Sequence, residues 1–244
     1  APFGVLLKPG HGKRILSKEK SGGFSPQAQY IFLKQLEEAD FVMINRCDTM
    51  TDEEIAELTQ LVTQSVGGSE VIHVSAKTGA GFDRVMKVLR SDCPQRKSLK
   101  IDYDVYAAGE SDLGWLNMSL SLNSDSNFQL DTFLLDVVDR LRTSLAQADA
   151  ETAHLKVIGM HDGQTGVANL IEREMAAELS LSSNCETTAA DVVVNARVAI
   201  DPETLTTLVE TAINGSAAAS DATAVIRQSQ SFRPSRPAPT HRME

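Results

Sequence analysis

Two short polar clusters in this chain have the residue types and spacing to read a flat, nitrogen-rich base. Asn45-Arg46-Cys47-Asp48 follows the apolar run Phe41-Val42-Met43-Ile44, and Ser75-Ala76-Lys77 follows Val71-Ile72-His73-Val74. A single carboxylate, here Asp48, can accept hydrogen bonds from both the N1–H and the exocyclic amine of guanine. Adenine offers no such pair of donors, and a mismatched carboxylate is left desolvated, so the discrimination is strong. Asn45 ties the loop to its neighbours through a side chain that both donates and accepts. Arg46 lays a planar guanidinium along the base. Ala76 turns its backbone N–H toward the guanine O6, Ser75 holds the Asp48 loop, and Lys77 covers the other side of the base.

Asn-x-x-Asp after a strand is also common turn chemistry. The pair of clusters is more telling, because each follows a buried-type strand and one helix separates them. A short apolar run bounded by polar residues fits a parallel strand covered on both faces. Ligands of open α/β sheets bind beyond the carboxyl ends of such strands. The elements around the clusters agree. Gly4–Leu7 is a further apolar run, and Lys8 to Gly23 reads as an exposed loop. Ser25-Pro26 starts a helix with Ser as N-cap and Pro at the first helical position. Thr51-Asp52-Glu53-Glu54 is a capping box, opening a helix with Ile55, Leu58, Leu61 and Val62 on one face. A last helix runs over Phe82–Leu89. This β-α-β-α order implies a parallel sheet.

The second half has another grammar. Leu116 to Leu122 alternates strictly, as a strand with one wet face does. A long amphipathic helix follows from Phe128 to about Leu145, then a strand at 155–160, a hairpin return at Val167–Ile171, and an alternating strand from Asp191 to Ile200. Asp201-Pro202 caps a helix that Asn214-Gly215 ends. The order suggests a small α+β, ferredoxin-like sandwich. The predicted organisation is 1–92 for the α/β part, 93–112 as linker, 113–215 for the sandwich and 216–244 as a disordered tail, rich in Ala, Ser, Pro and Arg.

With 244 residues, the chain holds one large domain or two modest ones. A net charge of −10 argues against a nucleic-acid surface. Three widely spaced cysteines, Cys47, Cys93 and Cys185, are no disulfide framework and suit a reducing cytoplasm. No apolar run is long enough to span a membrane, and no signal-peptide pattern is present.

The chain resembles a P-loop GTPase and, more narrowly, the CobW-like class grouped with the UreG and HypB metal-handling GTPases. The carriers are Gly22-Gly23-Phe24-Ser25, the acidic stretch Lys34-Gln35-Leu36-Glu37-Glu38-Ala39-Asp40 leading into Phe41–Asp48, and Ser75-Ala76-Lys77. The second half is similar, more loosely, to the C-terminal domain of that class. The resemblance implies GTP or GDP as ligand, hydrolysis linked to metal insertion or metal-cofactor assembly, and a metalloprotein client. It departs from the pattern at Arg46, where Lys is usual. No Gly-x-x-x-x-Gly-Lys-Ser/Thr exists. Pro9-Gly10-His11-Gly12-Lys13-Arg14 has Leu7 where the first Gly belongs and Arg14 where the Mg²⁺-binding hydroxyl belongs. The Cys-x-Cys-Cys metal motif is absent as well. Mg²⁺ is therefore expected only with a phosphate loop that would precede Ala1, in a longer parent protein. The rival reading is a non-catalytic interaction module with a degenerate nucleotide site that docks on a metalloenzyme or subunit partner.

Other residues carry less. His154 and His161 are an odd number of positions apart in one strand and so point to opposite faces. His73 reads as a core or edge histidine, Trp115 as core, and Cys47 as a small filler. Asp102, Asp104, Glu110 and Asp112 read as a solvated acidic stretch, and Arg227, Arg233, Arg236 and Arg242 as a basic tail. No nucleophile–His–acid set, and so no catalytic residue, and no metal ligand set is evident.

Overall fold

The computed structural model describes residues 2–17, 25–66, 68–91, 102–171 and 175–234. The chain forms two compact units, 1–109 and 110–244.

The first unit is built on a parallel sheet of β1 (Gly4–Leu7), β2 (Phe41–Ile44) and β3 (Glu70–His73), in that spatial order. β2 is central, so its side chains are covered on both faces, and Phe41, Val42 and Ile44 are all buried. Val42 and Ile44 pack with Leu36, Leu58 and Val62 from α2 (Pro26–Glu38) and α3 (Asp52–Ser65). Phe41 packs on the opposite face with Ile72, Val74 and Val85 of α4 (Phe82–Leu89). The predicted caps form: Ser25 Oγ accepts from the Ala28 N–H, and Thr51 and Glu54 make a reciprocal capping box.

Two expectations are corrected in this unit. The stretch after β1 is not a loop throughout, because Pro9–Leu16 form helix α1. Pro9 supplies the fixed φ of a first helical turn, and buried Ile15 and Gly12 seat the helix on the core. Within the predicted linker, Tyr103–Ser111 form helix α5, capped by Asp102 Oδ1, which accepts from the Asp104 and Val105 N–H groups. Gly109 lets α5 approach α2, since a Cβ there would sit 2.7 Å from Gln27 backbone. Residues 22–24 of the quoted resemblance, and 93–101 of the predicted linker, lie outside the described residues.

His11 of α1 has its Nε2 3.3 Å from Lys8 Nζ. Burial first, then the positive charges of Lys8 and Arg14, push its pKa down to about 3. Below pH 6.5 the unfolded chain takes up a proton that the folded chain refuses. Stability therefore falls as pH drops from 6.5 toward 3, with a slope from this group approaching about 1.4 kcal/mol per pH unit. Urea midpoints at pH 7 and pH 5 check this. The loss on acidification is expected to be clearly smaller in His11→Gln, and an equal loss in both proteins contradicts it.

The second unit is a six-stranded antiparallel sheet with two helices. In chain order these are β4 (Gly114–Gln129), α6 (Leu130–Gln147), β5 (Thr152–His161), β6 (Gln164–Leu170), β7 (Glu178–Leu181), β8 (Glu186–Val198), α7 (Pro202–Ala219) and β9 (Ala222–Phe232). The spatial order is β7-β6-β5-β8-β4-β9. Without the β6–β7 hairpin this is the β-α-β-β-α-β ferredoxin-like sandwich of the sequence reading. Leu116, Met118, Leu120 and Leu122 of β4 interdigitate with Phe133, Leu134, Val137 and Leu141 of α6 and with Leu205, Val209 and Ile213 of α7 in one core.

The predicted disordered tail from Ser216 is corrected. α7 continues through Gly215 to Ala219, because Ser216 and Ala217 extend the buried stripe of Ala212 and Ile213. β9 then pairs antiparallel with β4 from Ser124↔Ala222 to Trp115↔Phe232. Its sequence lacks apolar alternation because it is an edge strand, held by backbone ladder bonds more than by buried side chains. Among the described residues, no helix is long and apolar enough to cross a membrane.

Candidate functional site

The sheet of the first unit places both polar clusters at the carboxyl ends of adjacent strands. β2 and β3 are paired in register, Ile44↔His73 being the last pair. The ladder continues past the strands: the Val74 N–H donates to Ile44 O at 2.8 Å, and the Cys47 N–H to Val74 O at 3.2 Å. The two loops are thus stitched together before any side chain acts.

The first loop leaves β2 through Asn45, whose N–H donates to Leu7 O at 3.2 Å. Arg46 then takes a left-handed backbone, φ 67°. A non-glycine residue is held there only by its surroundings. The Thr49 N–H and hydroxyl both donate to Arg46 O at 2.9 Å and lock the turn. Cys47 Sγ donates to Ile44 O at 3.1 Å, and burial raises its pKa, so the thiol stays protonated and fills space.

The second loop is organised by Ser75, which is fully buried. Its Oγ accepts from the Thr78 N–H at 3.1 Å, its carbonyl from the Gly79 N–H at 2.8 Å, and its N–H donates to Ala80 O at 3.0 Å. Gly81, at φ +78°, closes the loop and caps α4.

Two contacts join the loops. Asn45 Oδ1 accepts from the Ala76 N–H at 3.0 Å. The Ser75 hydroxyl is the main cause holding the exposed Asp48 carboxyl below its usual pKa, and the charges of Arg46 and Lys77 act in the same direction. All six sequence-predicted residues are therefore gathered at one strand-end cluster. One detail is revised: the Ala76 N–H is engaged by Asn45 and is not open, so a guanine O6 would share that donor as a second acceptor. Thr78, Ala80 and Gly81 shape the cluster and were missed in the sequence. Gly79 and Gly81, so closely spaced after Ser-Ala-Lys-Thr, were the available signal.

The remaining candidates fall elsewhere. His73 is an exposed edge residue with Nε2 2.8 Å from Thr59 Oγ1. His161 lies 3.4 Å from Asp162. Trp115 is only half-buried, against Phe232 and under Arg197. Among the described residues no group of three or more His, Cys, Asp or Glu side chains is placed to hold a metal ion.

No family model matches the chain, and no curated protein matches it. Among solved structures, it is similar to a Zn(II)-bound triple mutant of the YjiA GTPase, at 13% identity and a TM-score of 0.26. That similarity covers 88% of this chain and 59% of the other, and a likeness of this degree gives no residue its role.

Proposed function

We propose that this chain selects guanine and belongs to a GTP-handling protein linked to metal insertion or metal-cofactor assembly. The observation that carries the reading is the joined pair of loops: Asn45 holding the Ala76 N–H, with the ionised Asp48 beside Ser75, Arg46 and Lys77. Asp48 accepts from N1–H and the exocyclic amine, and the Ala76 N–H, shared with Asn45, faces O6. Arg46 and Lys77 flank the base. The residues present fit the base. Phosphates and Mg²⁺ require a glycine-rich phosphate loop, and these 244 residues contain no such motif. The metal-related role rests on the resemblance of Lys34–Asp48 and of the second half to the CobW-like class.

The test uses the isotope-labelled chain and nucleosides, so that phosphate binding plays no part. Guanosine at millimolar concentration is expected to shift the amide resonances of Asn45, Asp48 and Ala76, while adenosine leaves them in place. Equal responses, or none, overturn the reading.

A further inference from the structure

The strand-end cluster presents two polar groups to a base, and one of them already has a partner. Asn45 Oδ1 accepts from the Ala76 N–H at 3.0 Å. This fixes which way the amide lies, because a backbone N–H requires its oxygen and not its N–H₂. Both partners are held from behind. The Asn45 N–H donates to Leu7 O at 3.2 Å. Ala76 follows Ser75, which is fully buried, and whose N–H and carbonyl are bonded to Ala80 and Gly79 at 3.0 and 2.8 Å. The Ala76 N–H thus sits on a fixed stem, aimed at Asn45.

Asp48 is the opposite case. Its side chain is exposed. An ionised carboxylate has about four acceptor sites. The Ser75 hydroxyl and the Asp48 backbone N–H engage it from the protein side, which leaves capacity for two further donors. A base that supplies an N1–H and a 2-amine gains two bonds to a charged acceptor, each roughly twice as strong as a bond between neutral groups. At position 6 the same base gains little. Either its O6 shares the Ala76 N–H with Asn45 in a three-centre bond, or it displaces Asn45 Oδ1 and one neutral bond replaces another.

We propose that this site reads purines by their N1–H and 2-amine edge and is indifferent to the acceptor at position 6. The ligand class is then the 2-amino-6-oxo and 2-amino-6-thio purine nucleosides, while a 6-oxopurine without the amine is rejected. The rejection comes from Asp48, which keeps one acceptor site unfilled and shielded from water when the amine is missing. The tolerance comes from Asn45, whose oxygen holds the Ala76 N–H before any base arrives. This inference rests on the guanine reading of the cluster and narrows it.

The test is amide-shift titration of the isotope-labelled full chain with guanosine, 6-thioguanosine and inosine, at mildly acidic pH where all three bases are neutral. The thio compound keeps N1–H and the amine but replaces O6 by sulfur, a much weaker acceptor. Inosine keeps O6 and lacks the amine. Guanosine and 6-thioguanosine are expected to agree in affinity within about threefold, and inosine to bind about tenfold or more weaker. In Asn45→Ala the Ala76 N–H is released, while the Val74-to-Ile44 and Cys47-to-Val74 backbone bonds still join the loops. That variant is expected to favour guanosine over 6-thioguanosine several-fold more than the unaltered chain does. Comparing the two ratios cancels any difference in N1–H acidity between the bases. A larger preference for guanosine over 6-thioguanosine in the unaltered chain, or the same ratio in both proteins, overturns the inference and leaves the guanine reading standing. Inosine binding as tightly as guanosine, or no response to guanosine, overturns both. If Asn45→Ala binds neither nucleoside, the ratio in the unaltered chain decides.

Discussion

Asp48→Asn is expected to turn the proposed guanine selectivity into xanthine selectivity while the first unit stays folded. In the proposed guanine complex the carboxylate accepts twice, from N1–H and from the exocyclic amine. An Asn amide at the same place still accepts from N1–H, but it presents its N–H₂ where the guanine amine also donates. Two donors facing each other in a desolvated site cannot be satisfied. Xanthine carries a carbonyl at that position and accepts from the amide. Guanosine is therefore expected to lose about a hundredfold in affinity, and xanthosine to gain, by amide-shift titration. Asp48→Ala loses guanosine and gains nothing. The side chain is exposed, so neither change disturbs the core. Because Ser75, Arg46 and Lys77 keep the Asp48 pKa low, the charged form persists below the usual carboxylate range, and guanosine binding is expected to be flat from pH 8 to pH 5. If Asp48→Asn leaves the guanosine-to-xanthosine ratio unchanged, the base is not read at this loop.

Gly81→Ala is expected to unfold the site without touching any residue that would contact the base. A Cβ on Gly81 would lie 2.0 Å from the carbonyl oxygen of His73. That atom is backbone, so no rotamer change relieves the overlap, and φ +78° adds the left-handed penalty of an L-residue. Ser75–Ala80 must move away from β3, and with it the Ala76 N–H that Asn45 holds. The expected cost is on the order of 3–5 kcal/mol, the scale of backbone clashes at constrained positions. Gly79→Ala is the control. It shares a positive φ, +82°, but nothing lies within 4 Å of its Cβ. It is expected to cost about 1–2 kcal/mol. Urea unfolding followed in the first unit separates the two, and equal midpoints would mean that the approach to His73 is not what fixes Gly81.

The placement of the candidate residues at two strand ends was legible because they lie close to regular elements. Phe41–Ile44 is apolar throughout since β2 is covered on both faces, and the polar residues right after it stand at a strand end by necessity. Thr51 and Glu54 announced α3 because a capping box is a local, reciprocal contact. The engagement of the Ala76 N–H was not legible, since it depends on how far apart β2 and β3 set their loops. α1 was hidden by two glycines, of which Gly12 is needed because a Cβ there would meet Leu7 at 2.7 Å. β9 was hidden for a different reason. Most of its residues are exposed, so the pairing with β4 is written more in β4's unused edge than in Ala222–Phe232.

That pairing sets an order of events for the nascent chain. β4 is made first in the second unit, yet its two neighbours are β8 and β9, near the unit's end. Leu120 waits for Val192 on one side and for Ile226 on the other. At roughly 5–20 residues per second, the hundred or so residues between β4 and β9 take about 5–20 s to emerge. For that interval a sixteen-residue strand carries a row of leucines and an open edge, and two open edges until β8 emerges. Synthesis of the second unit thus includes a window in which β4 must be shielded from pairing with other chains, and β9 ends it.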